Sequence, residues 1–399
     1  MTPGKAVSKR ERGDYADALM GLACGLVAVT AFLFVPSILS HAPGTRDYIV
    51  YWATGQQLLH HGNPYDAHGM GVLEHAWGVK SGEAFYMRNP PWTLPLAAPL
   101  GLMGVHTGAA VWTLFLLALT VAATWIVWPV VRVPGSKVVW IGYFSPLAIN
   151  AVVAGQTPVF AFLGLALFLR LQKTTPFAAG AGLALCMVKP HLLLACVPAF
   201  LLWIVLEKTW RVLLGFVTAM AASCAVTEWI DPAAWRQYLE WARHSGIAHE
   251  KIACLSVALR DLIRPSADWL TYIPAAVACV WGLVYYWQRR REWDWTNQGG
   301  LAVLVSLFAA PYCFPWDQCL GIPALLFAAA RTRSRLALAA IAVAYIGLDV
   351  QQLCGIQVRS PFWLWAAPFW LGWFLWARAT AKSSESAPVA IAAEPVAVS

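Results

Sequence analysis

Long apolar runs alternate with short polar breaks, many holding proline or arginine, from residue 18 to residue 380. A bilayer-crossing helix needs about 20 mainly apolar residues. On that measure the candidate spans are 18–39, 105–130, 138–153, 157–170, 176–189, 190–206, 211–229, 270–287, 298–312, 318–331, 335–350 and 362–378. Several are short, and Lys189-Pro190 divides two of them around a basic residue. The pattern predicts an all-α polytopic membrane protein of about 10–12 spans, with helices in its extracytoplasmic loops. Residues 1–17 read as a cytoplasmic N-terminal segment, 18–380 as the membrane domain and 381–399 as a disordered cytoplasmic tail rich in Ala, Val and Pro. The first run follows Lys5, Lys9, Arg10 and Arg12 and has no small-residue cleavage site before Pro36. It reads as an uncleaved signal anchor.

Two stretches in the first long loop carry their own signals. Tyr48, Tyr51, Trp52, Gly55, Leu58 and Leu59 recur at helical spacing, with Thr54, Gln56, His60 and His61 opposite. That spacing predicts an amphipathic helix lying along the membrane surface. Segment 91–103 is apolar, but too short and too rich in proline to span, so it is expected to re-enter or to lie in the interface.

The basic residues fix a sidedness. Arg132/Lys137, Arg170/Lys173, Lys208/Arg211, Arg289–Arg291, Arg331/Arg333/Arg335 and Arg378/Lys382 fall on the same side as the N-terminal cluster. By the positive-inside rule that side is cytoplasmic, with both termini. Loops 40–104, 154–156, 230–269, 313–317 and 351–361 are then extracytoplasmic, as expected of an inner (plasma) membrane protein. Composition agrees. Hydrophobic residues make up 59% of the chain and charged residues 12%, against roughly a quarter charged in soluble domains. The 23 Trp residues suit the headgroup boundary. The net charge of +8 is spread over short clusters, so nucleic acid is not an expected partner, whereas membrane lipids are. Nine scattered cysteines show neither a CxxC pair nor Cys/His spacing, so no disulfide scaffold or zinc site is indicated.

Polar groups at the membrane boundary are expensive to keep and so are candidates for function. Asp47 stands where the first outer helix begins, and reads either as its N-cap or as a catalytic acid. Arg88-Asn89-Pro90-Pro91 is an extended segment leading into the apolar stretch. Asn150 precedes a very short Gly155-Gln156 turn. Lys189, among apolar neighbours and followed by Pro190-His191, either snorkels to the interface or holds an anion. The second long loop is basic and aromatic, with Arg243 and His244 among its cations; lipid headgroups, phosphate or a solvated surface helix would each explain it. Asp317 lies at another outer boundary, and Asp349 with Gln351 and Gln352 at a third. No P-loop, GxGxxG, HExxH or Asp-x-Asp motif is present. An energy-rich substrate would therefore arrive within the membrane.

In chain order these elements form a recognisable series. An Asp ends the first span, followed by Tyr51-x3-Gly55 and a Gly62-Asn63-Pro64-Tyr65-Asp66 turn. Then come Asn89-Pro90-Pro91-Trp92-x-Leu94-Pro95-Leu96, Ser145-Pro146-Leu147 leading to Gly155-Gln156, Gly180-x-Gly182 leading to Lys189-Pro190, and Pro311-Tyr312-x4-Asp317. The series resembles glycosyltransferase family 87, the polyprenyl-phosphate-mannose-dependent mannosyltransferases of the GT-C fold. The resemblance implies a GT-C multi-helix membrane domain that moves a hexose, mannose by family, from a polyprenyl-phosphate-linked donor to a lipid or glycan acceptor. It implies Asp47 as the general base of an inverting transfer, and Lys189, His191, Arg243 and His244 around the donor phosphate. Tyr51, Tyr65, Arg88, Asn89, Asn150, Gln156 and Asp317 are further site candidates. No metal or other cofactor is implied. The chain departs from the family pattern at Asn89, where many relatives have Tyr or Phe, and at Tyr312-x4-Asp317, where some carry a His.

The other function class is a lipid or small-molecule transporter, or an inactive relative that only binds lipid. A transporter should carry charges midway along several spans, or broken helices paired across two halves. Here the charges gather at one boundary, which favours surface chemistry on lipid substrates.

Overall fold

A computed structural model describes residues 20–29, 33, 47–79, 85, 87–245 and 250–385. The expected segment 1–17, most of the signal anchor beyond residue 29 and residues 386–399 of the expected tail lie outside the described residues. All regular structure among the described residues is helical, as the apolar periodicity predicts.

Helix α1 (Met20–Val29) belongs to the predicted anchor. Helices α2 (Tyr48–Leu59) and α3 (Ala67–His75) form the first long loop, followed by short helical turns from Pro91 to Leu102. Then come α4 (Val105–Val131), α5 (Pro146–Ala154), α6 (Pro158–Leu171) and α7 (Pro176–Leu183), the last drawn out by a 3₁₀ stretch to Val188. Helices α8 (Cys196–Leu206) and α9 (Trp210–Ile230) lead to α10 (Ala234–His244) and α11 (Leu255–Ile263) in the second long loop. The chain closes with α12 (Ile273–Arg289), α13 (Gln298–Ala309), α14 (Ile322–Arg331), α15 (Arg335–Leu353) and α16 (Ala366–Glu385). Helix α16 runs through 381–385, where a disordered tail was expected.

Among the described residues, four helical stretches are each long and apolar enough to cross a bilayer: Val105–Val131, Trp210–Ile230, Asp268–Glu292 and Arg335–Leu353. On α4, Trp112, Leu116, Thr120 and Ala123 are buried, while Leu114, Phe115, Val121 and Trp125 are exposed. A helix apolar on both faces is one whose outer face meets lipid. Most of the other predicted spans fold as shorter apolar helices, whereas most of 362–378 lies within α16, a helix of 20 residues. Helices α5, α6 and α7 each begin at a proline, which lacks the N–H needed to continue a helix but suits its first turn.

The outer helix α2 differs from expectation. Instead of lying on a surface, it is buried on nearly every side, including Thr54 on its polar face. The turns after Pro91 cover it, and the fit depends on two glycines. A Cβ on Gly55 would lie 2.4 Å from the Gly101 backbone nitrogen. Gln56 Nε2 donates to Gly101 O at 2.7 Å and Trp52 Nε1 to Met103 O at 2.9 Å. Segment 91–103 therefore lines the protein's interior through α2. Connections that the charge pattern assigns to one side meet at one end of the bundle, around a large cavity.

Candidate active site

Lys189 sits at a break. Pro190 stops the helical run that ends at Val188, and Lys189 adopts an extended backbone (φ −141°, ψ 72°). The break turns its side chain inward, where the residue is only 9% exposed. Its ammonium lies 2.7 Å from Asp317 Oδ1 and 3.0 Å from Gln156 Oε1. Snorkelling is thereby excluded, since the charge is held inside the protein. Asp317 is fully buried, in the 3₁₀ run Pro315–Gly321. Its second oxygen accepts the Phe314 N–H at 3.0 Å, so one carboxylate fixes both the lysine and the turn.

Gln156 reaches the same point from the end of α5. Gly155 takes the left-handed conformation that ends this helix (φ +76°). Trp112 Nε1 donates to its carbonyl at 2.8 Å. Gln156 Nε2 donates to Asp47 Oδ2, while its carbonyl receives the lysine. Asp47, Gln156, Lys189 and Asp317 thus form a continuous polar chain. Asp47 stands at the N-cap position of α2, yet its side chain caps no backbone N–H. That removes the structural role the sequence left open.

The cavity around this chain has a volume of about 1850 Å³. Of the residues expected at a site, Asp47, Tyr51, Arg88, Asn89, Gln156, Lys189 and His191 line it. Tyr51 Oη meets Thr157 Oγ1 at 3.4 Å, and Asn89 Nδ2 donates to Val188 O at 2.8 Å, tying the outer loop to the lysine break. His191 stacks on Tyr312 with ring centroids 3.7 Å apart. Asp317 lies directly behind Lys189. Tyr65 lies one layer back, donating to Asn89 O at 3.1 Å.

Besides Asp317 and Tyr65, three expected residues do not join the cavity lining. Asn150 is buried within α5. Arg243 and His244 lie at the end of α10, five and six residues beyond Tyr238, which does line the cavity. At 3.6 residues per turn those offsets turn them away from it, and His244 Nδ1 meets Glu240 O at 2.8 Å instead. Neither is therefore brought together with the residues that line the cavity. Sequence reasoning missed Glu250 and Arg359, and did not single out Lys251, Tyr312, Phe314 and Trp316; all six line the cavity. Tyr312 stood in the Pro311-Tyr312-x4-Asp317 series, and the one signal of the other five was membership of the outer loops.

The electrostatics suit a base. Burial raises the Asp47 carboxyl above its ordinary range. The Gln156 hydrogen bond and the nearby Lys189 and Arg88 charges pull it down, and Asp317 pushes it up, with a net rise. Among the described residues no three His, Cys, Asp or Glu side chains gather as they would around a metal ion.

Comparison with known proteins places these features. The sequence model of glycosyltransferase family 87 matches residues 86–315. Asp47 and Asp317 flank that stretch. No curated protein and no solved structure matches the chain. The matched stretch is more than half of the 399 residues and supplies Arg88, Gln156, Lys189 and about half of the cavity wall. On this evidence the chain belongs to glycosyltransferase family 87 and is a membrane glycosyltransferase.

Proposed function

We propose that the protein transfers a hexose, mannose by family resemblance, from a polyprenyl-phosphate-linked donor to a lipid or glycan hydroxyl. The transfer inverts the anomeric centre and takes place on the extracytoplasmic side of the plasma membrane, in a GT-C type membrane domain. Asp47 is the general base. One observation carries this reading: Asp47 lines the cavity, caps nothing, and is oriented through Gln156 by a buried ion pair.

The acceptor hydroxyl gives its proton to Asp47 as its oxygen bonds to the anomeric carbon. The bond from that carbon to the phosphate oxygen breaks, and its electron pair leaves with the lipid phosphate. Such a leaving group is already anionic and stable, so one base suffices. Glycosidases add an acid because they expel an alkoxide. Positive charge in the cavity stabilises the departing phosphate. The distribution of Lys and Arg along the chain supports the extracytoplasmic placement.

Asp47→Asn is the test. Asn can still accept the Gln156 hydrogen bond but takes no proton. Loss of a positioned base lowers the rate by about 10²–10⁴-fold. A folded Asp47→Asn protein that transfers hexose from a polyprenyl-phosphate donor at near wild-type rate would remove Asp47 from catalysis.

A further inference from the structure

Glu250 is held between two arginines that come from distant parts of the chain. Arg88 Nη2 pairs with its Oε1, and Arg359 Nη2 lies 3.3 Å from its Oε2. Arg88 belongs to the extended segment before Pro90, Glu250 to the connection between α10 and α11, and Arg359 to the connection between α15 and α16. Lys251 follows Glu250 directly, and all four residues line the cavity that holds Asp47.

The charges in this cavity do not balance. Among the described residues its lining includes Arg88, Lys189, Lys251 and Arg359 against Asp47 and Glu250. Asp317, behind the wall, matches Lys189. Arg88, Lys251 and Arg359 are therefore the cations that an incoming anion meets, and Glu250 already lies among them. Each guanidinium meets a single, different oxygen of Glu250, with no bidentate fork. The three side chains are partly exposed, at 30%, 16% and 55% for Arg88, Glu250 and Arg359. Ion pairs of this kind are held weakly. A phosphate ester offers more acceptor oxygens to the same guanidinium forks than a carboxylate does.

We propose that Glu250 is an exchangeable counter-ion: its carboxylate fills an anion seat made by Arg88 and Arg359, with Lys251 beside it, and a phosphate ester entering the cavity takes that seat and releases Glu250. The inference rests on the reading of the donor as a phosphate ester.

The test uses the purified full chain in micelles and three probes: undecaprenyl phosphate, the uncharged undecaprenol, and water-soluble glycerol 3-phosphate. Glu250→Gln is expected to bind undecaprenyl phosphate about tenfold tighter than wild type, because a competing charged partner is gone. Undecaprenol binding stays the same. Arg359→Gln is expected to bind undecaprenyl phosphate about tenfold more weakly, again with undecaprenol unchanged. If Glu250→Gln does not fold, Arg359→Gln decides. A gain for glycerol 3-phosphate alone supports the seat but assigns it to a soluble ester, which sinks the lipid-donor reading. If wild type transfers sugar from a polyprenyl-phosphate donor and neither variant alters phosphate affinity, Glu250 is a fixed loop tie. The counter-ion inference then falls while the proposed function stands.

Discussion

Lys189 and Asp317 lie 2.7 Å apart although 128 residues separate them in sequence, and both are buried. The pair is neutral as a unit. We therefore propose that Lys189 orients Gln156, and through it Asp47, rather than offering a bare charge to a substrate. Removing one member of a buried pair leaves the other uncompensated, typically at a cost of about 3–5 kcal/mol. Lys189→Met should thus lower both thermal stability and transfer, whereas Lys173→Met, at an exposed site, should change neither. Combining Lys189→Met with Asp317→Leu should recover much of the stability without recovering transfer. Thermal unfolding and activity of the two single variants and the double variant check this. Additive losses in stability would mean that the pair is not coupled.

A pH profile follows from the same chain of bonds. Asp47 must be ionised to take a proton, and burial sets its pKa above the ordinary carboxylate range. Activity should therefore fall as pH drops through that raised value. The Gln156 hydrogen bond is the largest influence opposing the rise. Gln156→Leu should move the acidic limb of kcat/KM to higher pH. An unmoved limb in an active Gln156→Leu enzyme would separate the limb from Asp47.

Glu74, in α3, gives a stability counterpart. It is fully buried, and its Oε2 accepts the Phe85 N–H at 2.7 Å. Burial raises its carboxyl to about 7 from an ordinary 4.5. Between those values the folded protein binds more protons than the unfolded chain. Stability therefore declines as pH rises through that window and levels off above it. Glu74→Gln should flatten the dependence and be more stable at pH 8, by on the order of 1 kcal/mol. Melting temperatures of both proteins from pH 5 to pH 8 check the sign; parallel curves would contradict it.

The sequence made the inner part of the site readable. Asp47, Gln156, Lys189 and Asp317 are polar residues at the edges of apolar runs, where they stand out. Helix limits were equally visible, because prolines and basic clusters punctuate the runs; the predicted span 105–130 is the helix Val105–Val131. The burial of α2 was hidden, since it depends on Gly55 and Gly101 meeting back to back, and no local periodicity reports a pairing across 46 residues. The Arg359–Glu250 contact, across 109 residues, was hidden for the same reason. That Arg243 and His244 fall outside the cavity lining was hidden too, because membership of a loop does not say which face of α10 meets the cavity.

Two glycines with nearly the same backbone allow packing at the site to be separated from backbone strain. Gly155 has φ +76° and Gly135 has φ +79°, so a side chain at either is strained in the left-handed region. A Cβ at Gly135 would meet nothing within 4 Å. At Gly155 it would lie 2.7 Å from Tyr48 Cβ and 3.0 Å from the Tyr48 backbone nitrogen. Tyr48 is buried, and its hydroxyl donates to Val105 O at 3.0 Å, so it is held at both ends. Gly135→Ala should therefore cost about 1–2 kcal/mol, the strain alone. Gly155→Ala should cost clearly more and should also lower transfer, because displacing Tyr48 moves Asp47 away from Gln156. Unfolding midpoints and transfer rates of the two variants measure the difference. Equal stability losses with transfer intact would show that the Gly155 turn does not set the distance between Asp47 and Gln156.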